Sequence, residues 1–165
     1  MAASVQYWRW FKYERESHAK VLESLAAVAP ELRSSTAFQK ALTLMAHILA
    51  ARNIWLFRLG ISSRAPKEFF PAKVELAKLN VDFEKMHQAW ADYLDGLTDA
   101  ALARKFEYRS TEGNLYRSTV QDVLTQLFGH SLYHRGQIAY LVRSLGAQPA
   151  ETDFIFWSRE PVPSA

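Results

Sequence analysis

Four long segments of this sequence repeat their apolar residues with the 3.6-residue period of an α-helix, and together they cover most of the 165 residues. The first two segments are about Val5–Ala29 and Thr36–Gly60. The other two are about Ala72–Gly96 and Thr119–Leu145, and the last is followed by Gly146, a typical helix stop. Helices that each have one apolar face must bury those faces against each other. The pattern therefore predicts an all-α four-helix bundle.

Two interruptions shape this bundle. The connection Ile61–Pro71 is long for two adjacent antiparallel helices, so we expect it to cross over along the bundle. Between Arg104 and Arg117 the apolar residues alternate with polar ones and a turn sequence follows. This pattern predicts a short β-hairpin before the fourth helix, with Gly113 as the turn residue of positive φ. We expect residues 1–165 to form a single domain of this kind.

Capping signals mark the starts of two of the helices. Thr36 is followed three residues later by Gln39, and Ser118 by Gln121. A hydroxyl residue with an amide or acid three positions on is typical of the capping box, in which the two side chains bond the free backbone N–H groups. We therefore expect the second helix to begin at Thr36 and the fourth just after Ser118.

Composition excludes several classes of protein. The chain has no cysteine, so disulfides and zinc–thiolate sites are excluded. Twenty basic and seventeen acidic residues leave a net charge of +3, which is too small to require a nucleic-acid partner. No uncharged apolar run approaches the roughly 18 residues of a membrane span, and the N-terminal residues lack the apolar core of a signal peptide. We expect a cytoplasmic protein with neither a nucleic-acid nor a membrane partner.

Three histidines point toward the predicted bundle interior. His130 and His134 are four residues apart, so their side chains lie one above the other on the apolar face of the fourth helix. His47 lies on the inward face of the second helix. Three neutral imidazoles could bind a divalent ion such as Zn²⁺ or Ni²⁺ and leave positions open for water or substrate. The spacing alone is equally compatible with histidines that hydrogen-bond inside a core.

Two common hydrolytic sites do not match this pair. Zinc proteases carry a glutamate directly after the first histidine as the general base, whereas here Ser131, Leu132 and Tyr133 separate the histidines. Ser131 also lacks the strand–turn–helix elbow that exposes a hydrolase nucleophile. The sequence identifies no catalytic residue, because no carboxylate stands out as a general base.

Two segments resemble the DinB-like family of metalloproteins. The sequence of the fourth helix, FGHSLYHRGQIAYLVRSLG, is similar to the family's signature, which is close to NHxxHHRGQ followed by an apolar helix and a Leu-Gly stop. The second helix, MAHILAARNIWLFRLG, resembles another family segment in which a histidine precedes a tryptophan and an arginine. The hairpin and the aromatic DFIFW segment also fit, so the resemblance covers most of the chain in order.

The resemblance implies a four-helix bundle, commonly a homodimer, in which His47, His130 and His134 hold a divalent metal ion, with Zn or Ni favoured. Family members of known activity include thiol S-transferases and a thiol-dependent isomerase, which use low-molecular-weight thiols such as bacillithiol or mycothiol. The family name also refers to induction by DNA damage. We therefore expect a metal-dependent thiol S-transferase or related enzyme that acts on a small electrophile. The absence of cysteine is consistent with a thiol that arrives as cosubstrate.

Two other functions remain open. The protein could be a non-catalytic, metal-dependent ligand-binding or stress-response protein. A nucleic-acid-binding bundle would depend on scattered arginines that form no defined stripe, namely Arg9, Arg15, Arg33, Arg52, Arg58 and Arg64.

Three residues could support or extend the three-histidine site. Tyr133 occupies a position where the family usually has a further histidine, so a polar contact near the site is altered. His18 faces inward from the first helix and could be a fourth ligand, a hydrogen-bond donor to a ligand or a polar core residue. Gln137 lies near the histidine face and is the best candidate to hydrogen-bond a ligand.

The positions around these residues allow three further predictions. We expect Arg135 to pack against another helix or to pair with a carboxylate rather than to approach the metal. Gly136 costs roughly 1 kcal/mol relative to alanine inside a helix, which suggests a close helix approach. His87 lies off the apolar stripe of the third helix, and we expect it at the surface.

Overall fold

The computed structural model describes residues 2–163. Four long helices, two short helices and one hairpin make up the regular structure of these residues, together with a 3₁₀ turn at Pro30–Leu32. In chain order the elements are α1 (Ala3–Ala26), α2 (Thr36–Arg58), α3 (Leu76–Asp95), α4 (Asp99–Leu102), β1 (Lys105–Arg109), β2 (Leu115–Thr119), α5 (Val120–Ser144) and α6 (Phe154–Ser158). The predicted all-α fold with a hairpin before the fourth long helix is confirmed.

The four long helices enclose one apolar core. α1 packs against α3 and α5, and α2 packs against the same two helices, so α1 and α2 occupy opposite corners of the bundle. Large side chains from three of these helices, including Phe83, Trp90, Met45 and Ile138, are almost completely buried. Burying each such side chain contributes about 1.5–3 kcal/mol to folding. None of the helices in residues 2–163 is both long enough and apolar enough to span a membrane.

The connection between α2 and α3 runs back along α2. Its backbone carbonyl at Phe69 accepts a hydrogen bond from His47 Nδ1 at 3.0 Å, and the carbonyl of Pro71 accepts one from Thr43 Oγ1 at 3.3 Å. The chain thus retraces several turns of α2 before α3 begins. This is the predicted crossover, and it lies directly beside a predicted metal ligand.

The hairpin leads directly into α5. β1 and β2 pair antiparallel, with Phe106 opposite Ser118 and Tyr108 opposite Tyr116. Gly113 has a φ of 87° in the turn, as predicted. The last strand residue, Thr119, is also the N-cap of α5, so the hairpin and the helix that carries two histidines are fixed to each other.

α2 begins at Thr36 as predicted, but the caps of α2 and α5 and the start of α3 differ from the predicted ones. α2 is capped by Ser35, whose Oγ accepts from the N–H of Phe38 at 3.3 Å, and α5 is capped by Thr119 in a capping box with Asp122. Each predicted cap is one residue off, because neighbouring hydroxyl residues offer the same signal and only the one with extended backbone can cap. α3 begins at Leu76 rather than near Ala72, since no Ser, Thr, Asp or Asn lies between these positions to cap an earlier turn.

Candidate metal centre

The structure brings His47, His130 and His134 together where α2 packs against α5. Each side chain offers one nitrogen, and the three nitrogens lie within 4.8 Å of one another. His47 Nε2 lies 3.0 Å from His130 Nε2. His134 is buried and the other two are partly exposed, so the group is open on one side. These are the three residues that the sequence predicts as ligands.

Two of the three imidazole rings are oriented by hydrogen bonds at their Nδ1 atoms. His47 donates from Nδ1 to the carbonyl of Phe69, which leaves its Nε2 with a free lone pair. The Nδ1 of His134 lies 2.8 Å from Gln137 Oε1, an acceptor, which sets the same tautomer. Hydrogen bonds of this kind orient metal-binding histidines in proteins. Gln137 is therefore in the place predicted for it.

Electrostatics favours neutral imidazoles in this group. Burial, followed by the effects of His134 and His47, lowers the pKa of His130 to about 4. Burial also lowers the pKa of His47, against the opposing effect of its bond to Phe69. Neutral imidazole is the form that binds metal ions, so these two ligands need no deprotonation at pH 7.

The donor set fits a divalent metal. Two nitrogen lone pairs that face each other repel unless a proton or a cation lies between them. The 3.0 Å between the Nε2 atoms of His47 and His130 is close to the roughly 3.3 Å that separates two nitrogens on one tetrahedral zinc ion. The cluster could hold such an ion while leaving further coordination positions free.

A cavity of about 600 Å³ opens beside the histidines. α2 contributes His47, Ala51, Ile54, Trp55 and Arg58; the crossover contributes Phe69 and Phe70; the hairpin contributes Tyr108, Ser110, Thr111 and Tyr116; and α5 contributes Gln126, Leu127 and His130. We call this space the aromatic cavity. The ring of Phe70 stacks on His47 with centroids 3.9 Å apart. The aromatic cavity is large enough for a small-molecule ligand.

His18 belongs to a second buried cluster. Its Nδ1 is 3.1 Å from His87 Nε2, and its Nε2 is 2.7 Å from Ser131 Oγ. His18 is completely buried, and both of its nitrogens have partners outside the three-histidine group. Of the three roles considered for His18, the structure places it as a polar core residue.

The prediction that His87 lies at the surface is wrong, because its side chain is only 3% exposed. His87 is one helix turn from Phe83, at the edge of the apolar stripe of α3, and its imidazole packs parallel to that of His18. An edge position is buried when the facing helix supplies a polar partner, as α1 does here.

Buried charges complete this polar layer. Glu14 and Arg52 form an ion pair whose side chains are 5% and 4% exposed. Arg135 donates from Nη2 to the hydroxyl of Tyr13 at 2.8 Å, and its guanidinium lies 4.9 Å from the centre of the same ring. The prediction that Arg135 packs against another helix is confirmed. Arg52 is buried and not available to a nucleic acid, contrary to the interpretation that grouped it with the arginines on which nucleic-acid binding would depend.

Tyr133 and Gly136 lie on the outer side of α5. Tyr133 is 66% exposed, and its ring makes an edge contact with His134 at 5.1 Å between centroids. The close helix approach predicted at Gly136 is wrong, since a Cβ atom added there would meet no atom within 4 Å. The glycine faces open space within the described chain.

The remaining functional features lie in segments without helical periodicity. Phe69 and Phe70 belong to the crossover, and Tyr108 and Tyr116 belong to the hairpin. In the sequence, the adjacent pair Phe69 and Phe70 in an otherwise polar connection indicates a packed segment, because adjacent aromatic residues in a loop are usually held by packing.

A known protein family and a solved structure resemble this chain. No curated protein gives a significant match to the sequence. The crystal structure of a DinB-like protein from Bacillus cereus has a similar fold, with a TM-score of 0.65 and 22% sequence identity over 89% of this chain and 95% of that one. The sequence profile of the DinB family matches residues 1–161, a range that contains all three clustered histidines. The chain therefore belongs to the DinB family.

Proposed function

We propose that this protein binds a divalent metal ion through His47, His130 and His134 and transfers a low-molecular-weight thiol to a small electrophile. The observation that carries the proposal is a cluster of three imidazoles, two of which, those of His47 and His130, lie at the wall of the aromatic cavity. Imidazole donors suit Zn²⁺ and Ni²⁺, and three protein ligands are typical of a catalytic rather than a structural zinc site.

A bound metal ion would lower the pKa of a thiol and hold it as the nucleophilic thiolate. The chain's own residues prepare the rest of the reaction. Gln137 and the carbonyl of Phe69 orient two of the histidines. The aromatic rings of the cavity exclude water from the electrophile. The thiol sulfur then forms a bond to the electrophilic carbon, the leaving group departs with the electrons of the broken bond, and the thiol proton passes to solvent.

Metal content is the first test. Protein purified without a histidine tag should contain Zn, Ni or a related ion by elemental analysis, or take it up on soaking. His130→Ala should weaken metal binding by more than about 100-fold, because even the hydrogen-bond partners of ligands are worth about 10- to 100-fold. Tyr133→Phe, which alters the exposed neighbour of His134, is the matched control and should retain the metal. A wild-type protein that binds no divalent ion would refute the proposal.

Thiol consumption is the second test. Wild-type protein loaded with metal should consume bacillithiol, mycothiol or a simpler thiol in the presence of a chloroaromatic or bimane electrophile. His130→Ala should lose this activity while it keeps its helical circular dichroism. Equal inertness of the two proteins would reject the transferase and favour the alternative below.

The alternative is a non-catalytic, metal-dependent ligand-binding protein with a role in stress response. One observation favours it: among residues 2–163, no aspartate or glutamate lines the aromatic cavity. The cavity thus offers no carboxylate as a general base. Metal-dependent binding of a thiol without its consumption would support this function.

We also propose a homodimer, which the family resemblance implies. In support, the outer face of α5 leaves Leu132, Tyr133 and Tyr140 exposed, the last by 70%. Sedimentation analysis of the purified protein tests this proposal, and a monomer at micromolar concentrations would refute it.

A further inference from the structure

Among residues 2–163, one positively charged side chain lines the aromatic cavity, that of Arg58. Arg58 lies on the same face of α2 as His47, eleven residues and three helical turns away. We infer that Arg58 binds an anionic group of the ligand, so that the cavity takes an elongated molecule with a carboxylate at one end. The assignment of a thiol to the other end, beside the histidines, rests on the proposed function.

The guanidinium of Arg58 is held in place by two aromatic rings. Its central carbon lies 4.7 Å from the ring centre of Trp55 and 4.8 Å from that of Tyr108. Stacking of this kind leaves the edge of the guanidinium, with its N–H donors, free to point away from the rings. An arginine fixed in this way loses little conformational entropy when it binds a planar, two-oxygen acceptor.

Among the described residues, Arg58 has no ion-pair partner. Its Nε atom is buried and has no hydrogen-bond partner. The ion pairs found within residues 2–163 join other residues. Burial lowers the pKa of Arg58, which reflects poor solvation of the guanidinium by water, whereas Tyr108 and the Glu112 carboxylate act in the opposite direction. The Glu112 carboxylate is itself bonded to Thr111 Oγ1 at 2.7 Å. An incoming anion would therefore find an unpaired and partly desolvated cation.

Helix geometry sets the length of the ligand. At 1.5 Å per residue, the Cα atoms of His47 and Arg58 are about 16 Å apart along α2. The long side chain of Arg58 lies back toward the N-terminal end of α2, over Trp55, which shortens this gap to roughly 10 Å. A cavity of about 600 Å³ has room for a molecule of that length. A two-carbon mercapto acid is too short to reach both ends, whereas a chain of about eight carbons is long enough.

Chain-length dependence of binding tests this inference. The probes are ω-mercaptoalkanoates of two to ten carbons and the ω-mercaptoalcohols of equal length, titrated calorimetrically into the metal-loaded protein. We expect the carboxylates of about six to ten carbons to bind roughly tenfold or more tightly than the matched alcohols, because a hydrogen bond to a charged group contributes that much. A preference confined to the shortest carboxylates would show that the anion binds at the metal and would overturn the inference.

Variants of Arg58 identify the source of the preference. Arg58→Gln should abolish the preference for long carboxylates, and Arg58→Lys should keep part of it because the charge remains without the two-pronged geometry. Arg64→Gln, which removes an exposed arginine outside the aromatic cavity, is the matched control. Urea unfolding of each variant checks that it is folded. Folded Arg58→Gln protein that still prefers long carboxylates would refute the inference.

A metal-free experiment separates this inference from the proposed function. 4-Phenylbutyrate and its amide carry no thiol, and their binding needs no metal. We expect the carboxylate to bind more tightly than the amide in metal-free wild-type protein and no more tightly in Arg58→Gln. If this difference is found while metal or thiol binding fails, the anion site stands and the proposed function falls. If it is absent, the anion site falls irrespective of the metal.

Discussion

The Nε2 atoms of His47 and His130 lie 3.0 Å apart although 83 positions separate the two residues in the chain. The pair exists only because α2 and α5 pack side by side at these positions. Both rings need a free lone pair to hold a metal ion together, and the hydrogen bond from His47 to the crossover provides that tautomer on one side. The geometry of the candidate metal centre therefore depends on the hydrogen bonds at Nδ1 of the rings as much as on the rings themselves.

Gln137 should control metal affinity without touching the ion. Gln137→Ala removes the acceptor of the His134 Nδ1 hydrogen bond, and we expect metal affinity to fall about 10- to 100-fold, as for other partners of metal ligands. Gln137→Glu keeps an acceptor oxygen at this position and should bind the metal at least as tightly as the wild type. Competition with a chromophoric chelator measures both constants. Unchanged affinity in Gln137→Ala would show that His134 needs no such support.

The buried ion pair between Glu14 and Arg52 should be sensitive to loss of one partner. Glu14→Ala leaves the guanidinium of Arg52 without its carboxylate in the core, and we expect the free energy of unfolding to fall by about 3–5 kcal/mol. Replacing both residues, in Glu14→Leu/Arg52→Met, should restore most of this loss because no unpaired charge remains. Urea unfolding measures each value. A double variant as unstable as Glu14→Ala would contradict this account.

His87 and His18 are neutral in the folded protein at pH 7. Burial, followed by the positive charges of Arg52 and Arg15, lowers the pKa of His87 to about 3. Burial, again followed by Arg52, lowers the pKa of His18 well below its usual value. Glu14, one helical turn before His18 on α1, is paired with Arg52. In the unfolded chain the same imidazoles titrate near pH 6.5.

Stability should therefore decrease as the pH falls below about 6.5. In that range the unfolded chain takes up protons that the folded protein does not, and each such histidine lowers the free energy of unfolding by about 1.4 kcal/mol per pH unit. For His87 this continues to the folded pKa, about 3. His87→Gln removes one histidine that takes up a proton on unfolding. The other buried histidines contribute equally to the wild type and to the variant. Between pH 6 and 4, the free energy of unfolding of His87→Gln should change by about 1.4 kcal/mol less per pH unit than that of the wild type. Equal slopes would contradict a depressed pKa of His87.

Two glycines should respond oppositely to alanine. Gly136→Ala adds a methyl group in open space within a helix and should stabilise the protein by about 0.5–1 kcal/mol. Gly113→Ala also meets no atom, but its φ of 87° is strained for alanine, so we expect a loss of about 1–2 kcal/mol. Thermal unfolding measures both effects. A destabilised Gly136→Ala protein with a changed oligomeric state would show that a second copy packs on this face of α5.

The long helices and the hairpin could be predicted from the sequence because their signals are local. The apolar period of α2 and α5 places His47, His130 and His134 inward, and the family motif adds that they meet. Their assembly depends on which helices are neighbours, which no period reveals. The prediction of a close helix approach at Gly136 was wrong for a related reason. A glycine in a helix shows that no side chain is present there, but it does not show whether another helix occupies the space.

The surroundings of Arg52, His87 and Arg58 could not be predicted, because they depend on partners that are distant in the sequence. Arg52 looks like a surface arginine until Glu14, 38 positions away, is placed against it. His87 looks exposed until His18 stacks on it from α1. Arg58 is held between two rings only because the hairpin brings Tyr108 over it.

His47 is stacked on Phe70 and bonded to the carbonyl of Phe69, and both residues belong to the crossover rather than to a helix. An ion bound to His47 would therefore also stabilise the position of this segment. A change that makes the segment more mobile would lower the affinity for the ion, because thermodynamic coupling is reciprocal. Residues 61–75 would thus become less mobile when the three histidines hold an ion. Their rate of cleavage by a protease should be lower when the metal ion is bound than when it is absent.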